Sequence, residues 1–88
     1  GLSVHSASLL LKFKLDTKSV FKEFCVSVSK KNFSRAVDRN KIKRLIREVI
    51  RKNSDSFPTG QFLFIYKNNR ISSFSSLLVE IKKLLNAL

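Results

Sequence analysis

Arg35–Lys52 reads RAVDRNKIKRLIREVIRK. Ile42, Leu45, Ile46 and Val49 fall at i, i+3, i+4 and i+7, and Ile50 extends the stripe. That spacing predicts a helix with one buried face. The cations take the other side. Arg39, Lys43, Arg47 and Arg51 recur at every fourth position and form one row. Asn40 and Arg44 form an adjacent row, flanked near the start by Arg35 and Lys41. Asn32 and Ser34 are the candidate caps for this helix.

The segments on either side have a different period. Ser8–Asp16, SLLLKFKLD, alternates Leu9, Leu11, Phe13 and Leu15 with Leu10, Lys12, Lys14 and Asp16. Such alternation predicts a strand with one buried face. A shorter extended piece precedes it at residues 3–6. After a polar turn at residues 16–19, Lys22–Ser29 alternates again, with Phe24, Val26 and Val28 opposite Cys25, Ser27 and Ser29. A hairpin is the simplest connection between the two strands. Its outer face would carry Lys12, Lys14, Ser27 and Ser29. Residues 53–60 form a loop closed by Pro58 and Gly60. QFLFIY at 61–66 is apolar on both faces, which suits a central strand covered on both sides. Lys67-Asn68-Asn69-Arg70 is a basic turn. Phe74, Leu77, Leu78, Ile81, Leu84 and Leu85 mark a second amphipathic helix, started at Ser72 or Ser73, with Lys82 and Lys83 near its C-terminus. The expected fold is α+β, a small sandwich in the order strands, helix, strand, helix.

Composition narrows what such a domain does. With 88 residues it is one domain, 43% hydrophobic, and its formal charge is +12. An excess of that size repels itself in the compact state and calls for a polyanionic partner. Cys25 is the one cysteine, so no intrachain disulfide forms, and its strand setting reads as a small packed residue rather than a nucleophile. His5 has no second His or Cys with which to hold zinc. No apolar run approaches the roughly 20 residues of a membrane span, and no signal peptide is recognisable. A reducing cytoplasmic setting is the expectation. The chain opens on Gly1 rather than Met, and a fragment truncated at its N-terminus is expected.

Three readings compete for the basic helix. Mixed charges are most often a solvated face, but these are nearly all of one sign. Each like-charge i, i+4 pair costs about 0.2–0.5 kcal/mol in an isolated helix, and the row has three such steps, at 39–43, 43–47 and 47–51. Asp38 in the first turn, and Glu48 beside Arg44 and Lys52, offset only part of this. A membrane-surface helix would need its apolar stripe for lipid, and here the core needs it. Phosphate binding remains, because the arginine fork matches phosphate oxygens and Asn40 adds a polar contact. Strands flank this helix, and no helix-turn-helix, zinc module or zipper accompanies it. RNA is therefore favoured, and neither DNA nor a membrane is expected as partner. No nuclease centre is readable: Asp16, Glu23, Asp38, Glu48, Asp55 and Glu80 are scattered, with no paired-carboxylate motif.

Ser29-Lys30-Lys31, followed by AVDRNKIKRLIRE at 36–48, resembles the signature of the bacterial ribonuclease P protein family. The Arg39-Asn40-Lys41 triplet, Lys43-Arg44 and then Arg47-Glu48 make a specific combination. Gly1-Leu2-Ser3-Val4 resembles the family's Gly-x-Ser-Val segment. Pro58-x-Gly60, the strand after it and the C-terminal helix resemble its second half.

The resemblance implies an αβββαβα fold, with its first helix expected before Gly1 and absent from this chain, and a left-handed βαβ crossover through the basic helix. It implies a protein subunit that binds a catalytic RNA, ribonuclease P RNA, and the 5′ leader of precursor tRNA. The active centre would be RNA with Mg2+, so the enzyme is an RNA-based endoribonuclease with no catalytic residue and no metal ligand assigned on this chain. RNA binding then falls to Lys30, Lys31, Arg39, Asn40, Lys41, Lys43, Arg44 and Arg47, with Arg35 and Arg51 added by the helix row. A cleft between this helix and the sheet would receive the leader, lined by Lys12, Lys14, Ser27 and Ser29. Two departures stand out. Lys12 occupies the family's usual aromatic position on the first long strand, and residues 32–35 lack the family's common glycine. The alternative function is a non-enzymatic ribosomal or RNA-chaperone module.

Overall fold

The computed structural model describes residues 2–18 and 20–88. Gly1, of the Gly-x-Ser-Val segment, and Ser19, of the polar turn, lie outside the described residues. The elements are β1 (Leu2–His5), β2 (Leu9–Leu15), β3 (Lys22–Val28), α1 (Ala36–Lys52), a 3-10 turn at Ser54–Ser56, β4 (Gly60–Tyr66) and α2 (Phe74–Asn86). The α+β order read from the alternation and the helical stripes is therefore the order of the molecule. The short extended piece is β1.

The four strands make one sheet in the order β1-β2-β4-β3. The expected hairpin between β2 and β3 does not form, because β4 lies between them. β2 pairs with β4 antiparallel from Leu9↔Tyr66 to Leu15↔Gly60. β3 pairs with β4 in parallel from Lys22↔Gly60 to Val28↔Tyr66. The physical reason is the composition of β4. At an edge, GQFLFIY would expose an unpaired row of amides and carbonyls on the most apolar strand of the chain. In the centre both of its edges are paired.

Gly60 makes that insertion sterically feasible. Its φ is +148°, and a Cβ there would lie 2.3 Å from the Lys14 carbonyl oxygen. Only glycine fits where the two backbones meet. The connection after β2 is tied to the same corner. Thr59 Oγ1 donates to the Asp16 carbonyl at 2.7 Å, and the Gly60 amide donates to the Phe21 carbonyl at 3.1 Å.

Both helices pack on one face of the sheet. The core joins Leu9, Leu11 and Phe13 of β2, Val26 and Val28 of β3, and Phe62, Phe64 and Tyr66 of β4 to the helices' apolar stripes. From α1 come Ile42, Ile46, Val49 and Ile50; from α2 come Leu77, Ile81 and Leu84. Phe57, from the loop after α1, closes one end by meeting Phe24 and Phe62 edge-on at 5.1 and 5.2 Å. β4 is thus central but covered on one side only. Gln61 is exposed, and Leu63 and Ile65 are half-buried on the open face.

Three local expectations are corrected. Neither Asn32 nor Ser34 caps α1; its N-cap is Arg35, with no side-chain cap bond. Leu45 is only half-buried at the edge of the core, whereas Ile46 is fully enclosed. Cys25 is exposed on the open face of the sheet rather than packed. The start of α2 matches its expectation, since Ser73 accepts a hydrogen bond from the Ser76 amide at 3.2 Å.

Burial on α1 predicts a clean division of labour. Ile46→Ala should cost about 2–5 kcal/mol through a core cavity, while Arg47→Ala, exposed one residue away, should stay within about 0.5 kcal/mol of the parent. Urea denaturation of the two variants checks this. Equal midpoints would mean that the buried face is assigned wrongly.

Candidate nucleic-acid interface

The outer face of α1 carries a shallow groove lined by Asn40, Lys43, Arg44, Arg47, Glu48 and Arg51. Five of these are residues expected from the helix spacing. They come together because the stripe of Ile42, Ile46, Val49 and Ile50 turns the opposite side of the helix to solvent. Lys41 is exposed but does not line the groove. Arg35 is exposed at the helix start.

The cations of the row are not equivalent. Arg39, expected to head the phosphate row, is half-buried and turns back on its own chain. Its guanidinium donates to the carbonyls of Phe33 at 2.8 Å and Ser34 at 2.9 Å. It holds the approach to the helix, a task the sequence reading gave to a polar cap. Of the two partners expected for Glu48, Lys52 does act on its carboxylate through its charge, and the direct ion pair is with Arg51 at 2.6 Å. The Arg51 hydrogen bond holds the Glu48 carboxyl below its ordinary range, and Glu48 in turn raises Arg51. Lys52 also leans over the Phe74 ring of α2, 5.1 Å from its centroid. Of the three repulsive steps in the row, only Lys43–Arg47 keeps both charges unengaged by these contacts. Among the cations that line the groove, Lys43, Arg44 and Arg47 are the ones these contacts leave to an anion.

Lys30 and Lys31 stand exposed in the connection before α1. That connection is ordered: the Phe33 amide donates to the Ser29 carbonyl at 3.1 Å, and Ser29 Oγ accepts from the Lys31 amide at 3.0 Å. Ser29 is thus engaged in the turn rather than lining a cleft.

The expected cleft between the basic helix and the sheet is not there. That space is the hydrophobic core. Lys12 and Lys14 alternate with Leu11 and Phe13, so they stand on the face turned away from both helices. On that open face a depression is lined by Lys12, Lys14, Leu2, Ser3, Glu23, Cys25, Gln61 and Leu63, with Phe13 and Phe62 beneath. Ser27 is exposed on the same face but does not line it. The strand alternation could have added Glu23 and Cys25. Gln61 and Leu63 were out of reach, because only the register Lys12↔Leu63 and Cys25↔Leu63 brings them in.

Mg2+, implied by the resemblance, wants several oxygen ligands. Among the described residues no three His, Cys, Asp or Glu side chains come together to hold a metal. Among the described residues no helix is long and apolar enough to cross a membrane.

A four-stranded α+β domain with a parallel β3–α1–β4 unit, its helix basic along one side, defines the structural class. The chain belongs to the ribonuclease P protein family: the family model, Ribonuclease P, matches residues 1–88. It is similar to the ribonuclease P protein component of Haemophilus influenzae (strain PittGG), 44% identical over 43 residues, which are 49% of this chain and 36% of that protein. The protein component of Idiomarina loihiensis is 50% identical over 42 residues, 48% of this chain and 34% of that protein. The matched stretch thus spans about a third of the length of these curated relatives. Among solved structures, the Thermotoga maritima RNase P protein superposes with a TM-score of 0.86 at 22% identity, covering 100% of this chain and 84% of that one. The Staphylococcus aureus RNase P protein gives 0.85 at 24% identity, covering 99% and 80%. At these identities the superpositions establish the shared fold.

The two arginines separate structure from binding. Arg39→Ala should lower stability by about 1.5 kcal/mol, the low end for hydrogen bonds to a charged group because solvent reaches these, and should speed amide exchange at residues 30–34. Arg44→Ala should do neither. Hydrogen exchange monitored by NMR distinguishes them, and unchanged protection in Arg39→Ala would refute the role of Arg39 in holding the approach to the helix.

Proposed function

We propose that this chain is the protein partner of an RNA-based endoribonuclease that removes the 5′ leader from precursor tRNA in the cytoplasm. The observation that carries the reading is the groove along α1, where Asn40, Lys43, Arg44 and Arg47 face solvent together on a rigid helix. Arginine forks engage phosphate oxygens bidentately, and a straight row of them follows a sugar–phosphate backbone better than it follows a compact ligand. Ribonuclease P RNA is the partner assigned to this row, and Lys30, Lys31 and Arg35, exposed before the helix and outside the groove, are assigned to the same RNA. The family membership and the match over residues 1–88 support this choice of RNA.

The open face of the sheet is the surface assigned to the leader. It offers Lys12 and Lys14 for phosphates and half-buried Leu10, Leu63 and Ile65 for the faces of unpaired bases. The chemistry is assigned to the RNA with its Mg2+. This chain supplies binding and screening of phosphate charge, and those terms help most when Mg2+ is scarce.

Reconstitution at limiting Mg2+ tests the proposal. The chain alone should not cut precursor tRNA. Added to ribonuclease P RNA, it should raise cleavage, and Arg44→Ala/Arg47→Ala should lose most of that gain. If four to six phosphates are contacted, log affinity for the RNA should fall against log salt with a slope of about −3 to −5. Cleavage by the chain without RNA would overturn the mechanism, and a slope near zero would overturn the electrostatic account.

A further inference from the structure

β3 and β4 run parallel and end in register at Val28 and Tyr66. The segments that follow, 29–35 and 67–73, therefore leave the sheet side by side, about 4.8 Å apart at their roots. Their sequences, SKKNFSR and KNNRISS, hold five cations and no acid. All five cations are exposed. The turn at 67–70 lies outside the α1 groove and has no part in the reading above.

Both segments are anchored from beneath. The buried rings of Phe33 and Tyr66 lie 6.1 Å apart. The Tyr66 hydroxyl donates to the Arg70 carbonyl and accepts from the Ser72 amide at 3.0 Å. Asn32 Nδ2 reaches across to the Lys67 carbonyl at 3.5 Å, so the two segments also meet each other. Backbones held this way lose little freedom on binding, which lowers the entropic cost of presenting their side chains. The N-terminus of α1 opens at the same end, without a side-chain cap. Its partial positive charge adds to the field there, tempered by Asp38 in the first turn.

We propose that the paired ends of β3 and β4 form a second RNA-phosphate surface, in which Lys67 and Arg70 act with Lys30 and Lys31. It grips a stretch of RNA backbone separate from the one on the α1 groove. This rests on the RNA-binding reading above and adds residues and a second point of attachment to it. Two attachments fix orientation as well as affinity, because a single row lets an RNA helix roll about it.

The test compares two variants of equal charge loss by fluorescence anisotropy on transcribed ribonuclease P RNA. Lys67→Ala/Arg70→Ala removes the turn's cations. Lys82→Ala/Lys83→Ala removes two exposed cations of α2 away from this surface. The first should weaken binding about tenfold or more and reduce the salt slope by about 2. The second should stay within about threefold of the parent. Melting temperatures check that both are folded; if the alanine pair is not, Lys67→Gln and Arg70→Gln are measured singly, each expected to weaken binding about threefold and to reduce the salt slope by about 1. Equal effects in the two pairs would reduce the surface to bulk charge and overturn it. Loss of binding in Arg44→Ala/Arg47→Ala but not in Lys67→Ala/Arg70→Ala would overturn it while sparing the α1 reading. Failure of the unaltered chain to bind the transcript would bring down both.

Discussion

Strand β4 is hydrogen-bonded along both edges at once, and every other element is positioned by that pairing. β2 reads it antiparallel and β3 reads it parallel, over the full length of the strand. The parallel pairing requires α1 to connect β3 to β4, which lays it against β3 and beside α2 and brings its apolar stripe into one core with Phe62, Phe64 and Tyr66. The antiparallel pairing needs Gly60 at the corner, where a side chain would strike the Lys14 carbonyl. A sheet built on any other central strand would leave the most apolar segment at an edge.

The same arrangement sorts charge. With both helices on one face, the core is apolar and the cations stay outside it, on the far side of α1, the open side of the sheet, the paired ends of β3 and β4, and the outer side of α2. Part of the resulting strain is relieved internally. Arg39 is absorbed by backbone carbonyls, Arg51 by Glu48, and Lys52 by the Phe74 ring. Lys43, Arg44 and Arg47 keep no such partner in these contacts. A domain of this size is only marginally stable, so a polyanion that binds the folded state would stabilise it by mass action as well as engage it functionally.

Two half-buried polar nodes hold the layers in register. Glu80 of α2 accepts from Ser6 Oγ at 2.6 Å and from the Ser8 amide at 2.7 Å, tying the second helix to the β1–β2 turn. The Ser8 carbonyl accepts from the Lys67 amide at 2.7 Å, so that turn is also bound to the exit of β4. At that exit the Tyr66 hydroxyl organises the path into α2. Among the described residues no buried side-chain polar atom lacks a partner, and that is expected where an unmet group would cost a large part of the total stability.

Periodicity by itself determined the elements of this protein. Alternation marked β2 and β3, the i, i+3, i+4 stripe marked α1 and α2, and the side of α1 opposite that stripe identified Lys43, Arg44, Arg47 and Arg51 as one surface. These features are local, since each depends on residues within two turns or one strand. Only the tertiary structure decided the rest. Strand order, and with it the place of Lys12 and Lys14 on a face far from α1, depends on pairing between residues some fifty positions apart, as in Lys12↔Leu63. The turning of Arg39 toward Phe33 and Ser34, and of Lys52 toward Phe74, depends on which partners the fold brings within reach of a long, flexible cation. A linear pattern says which side of a helix a charge occupies, but not what it meets there.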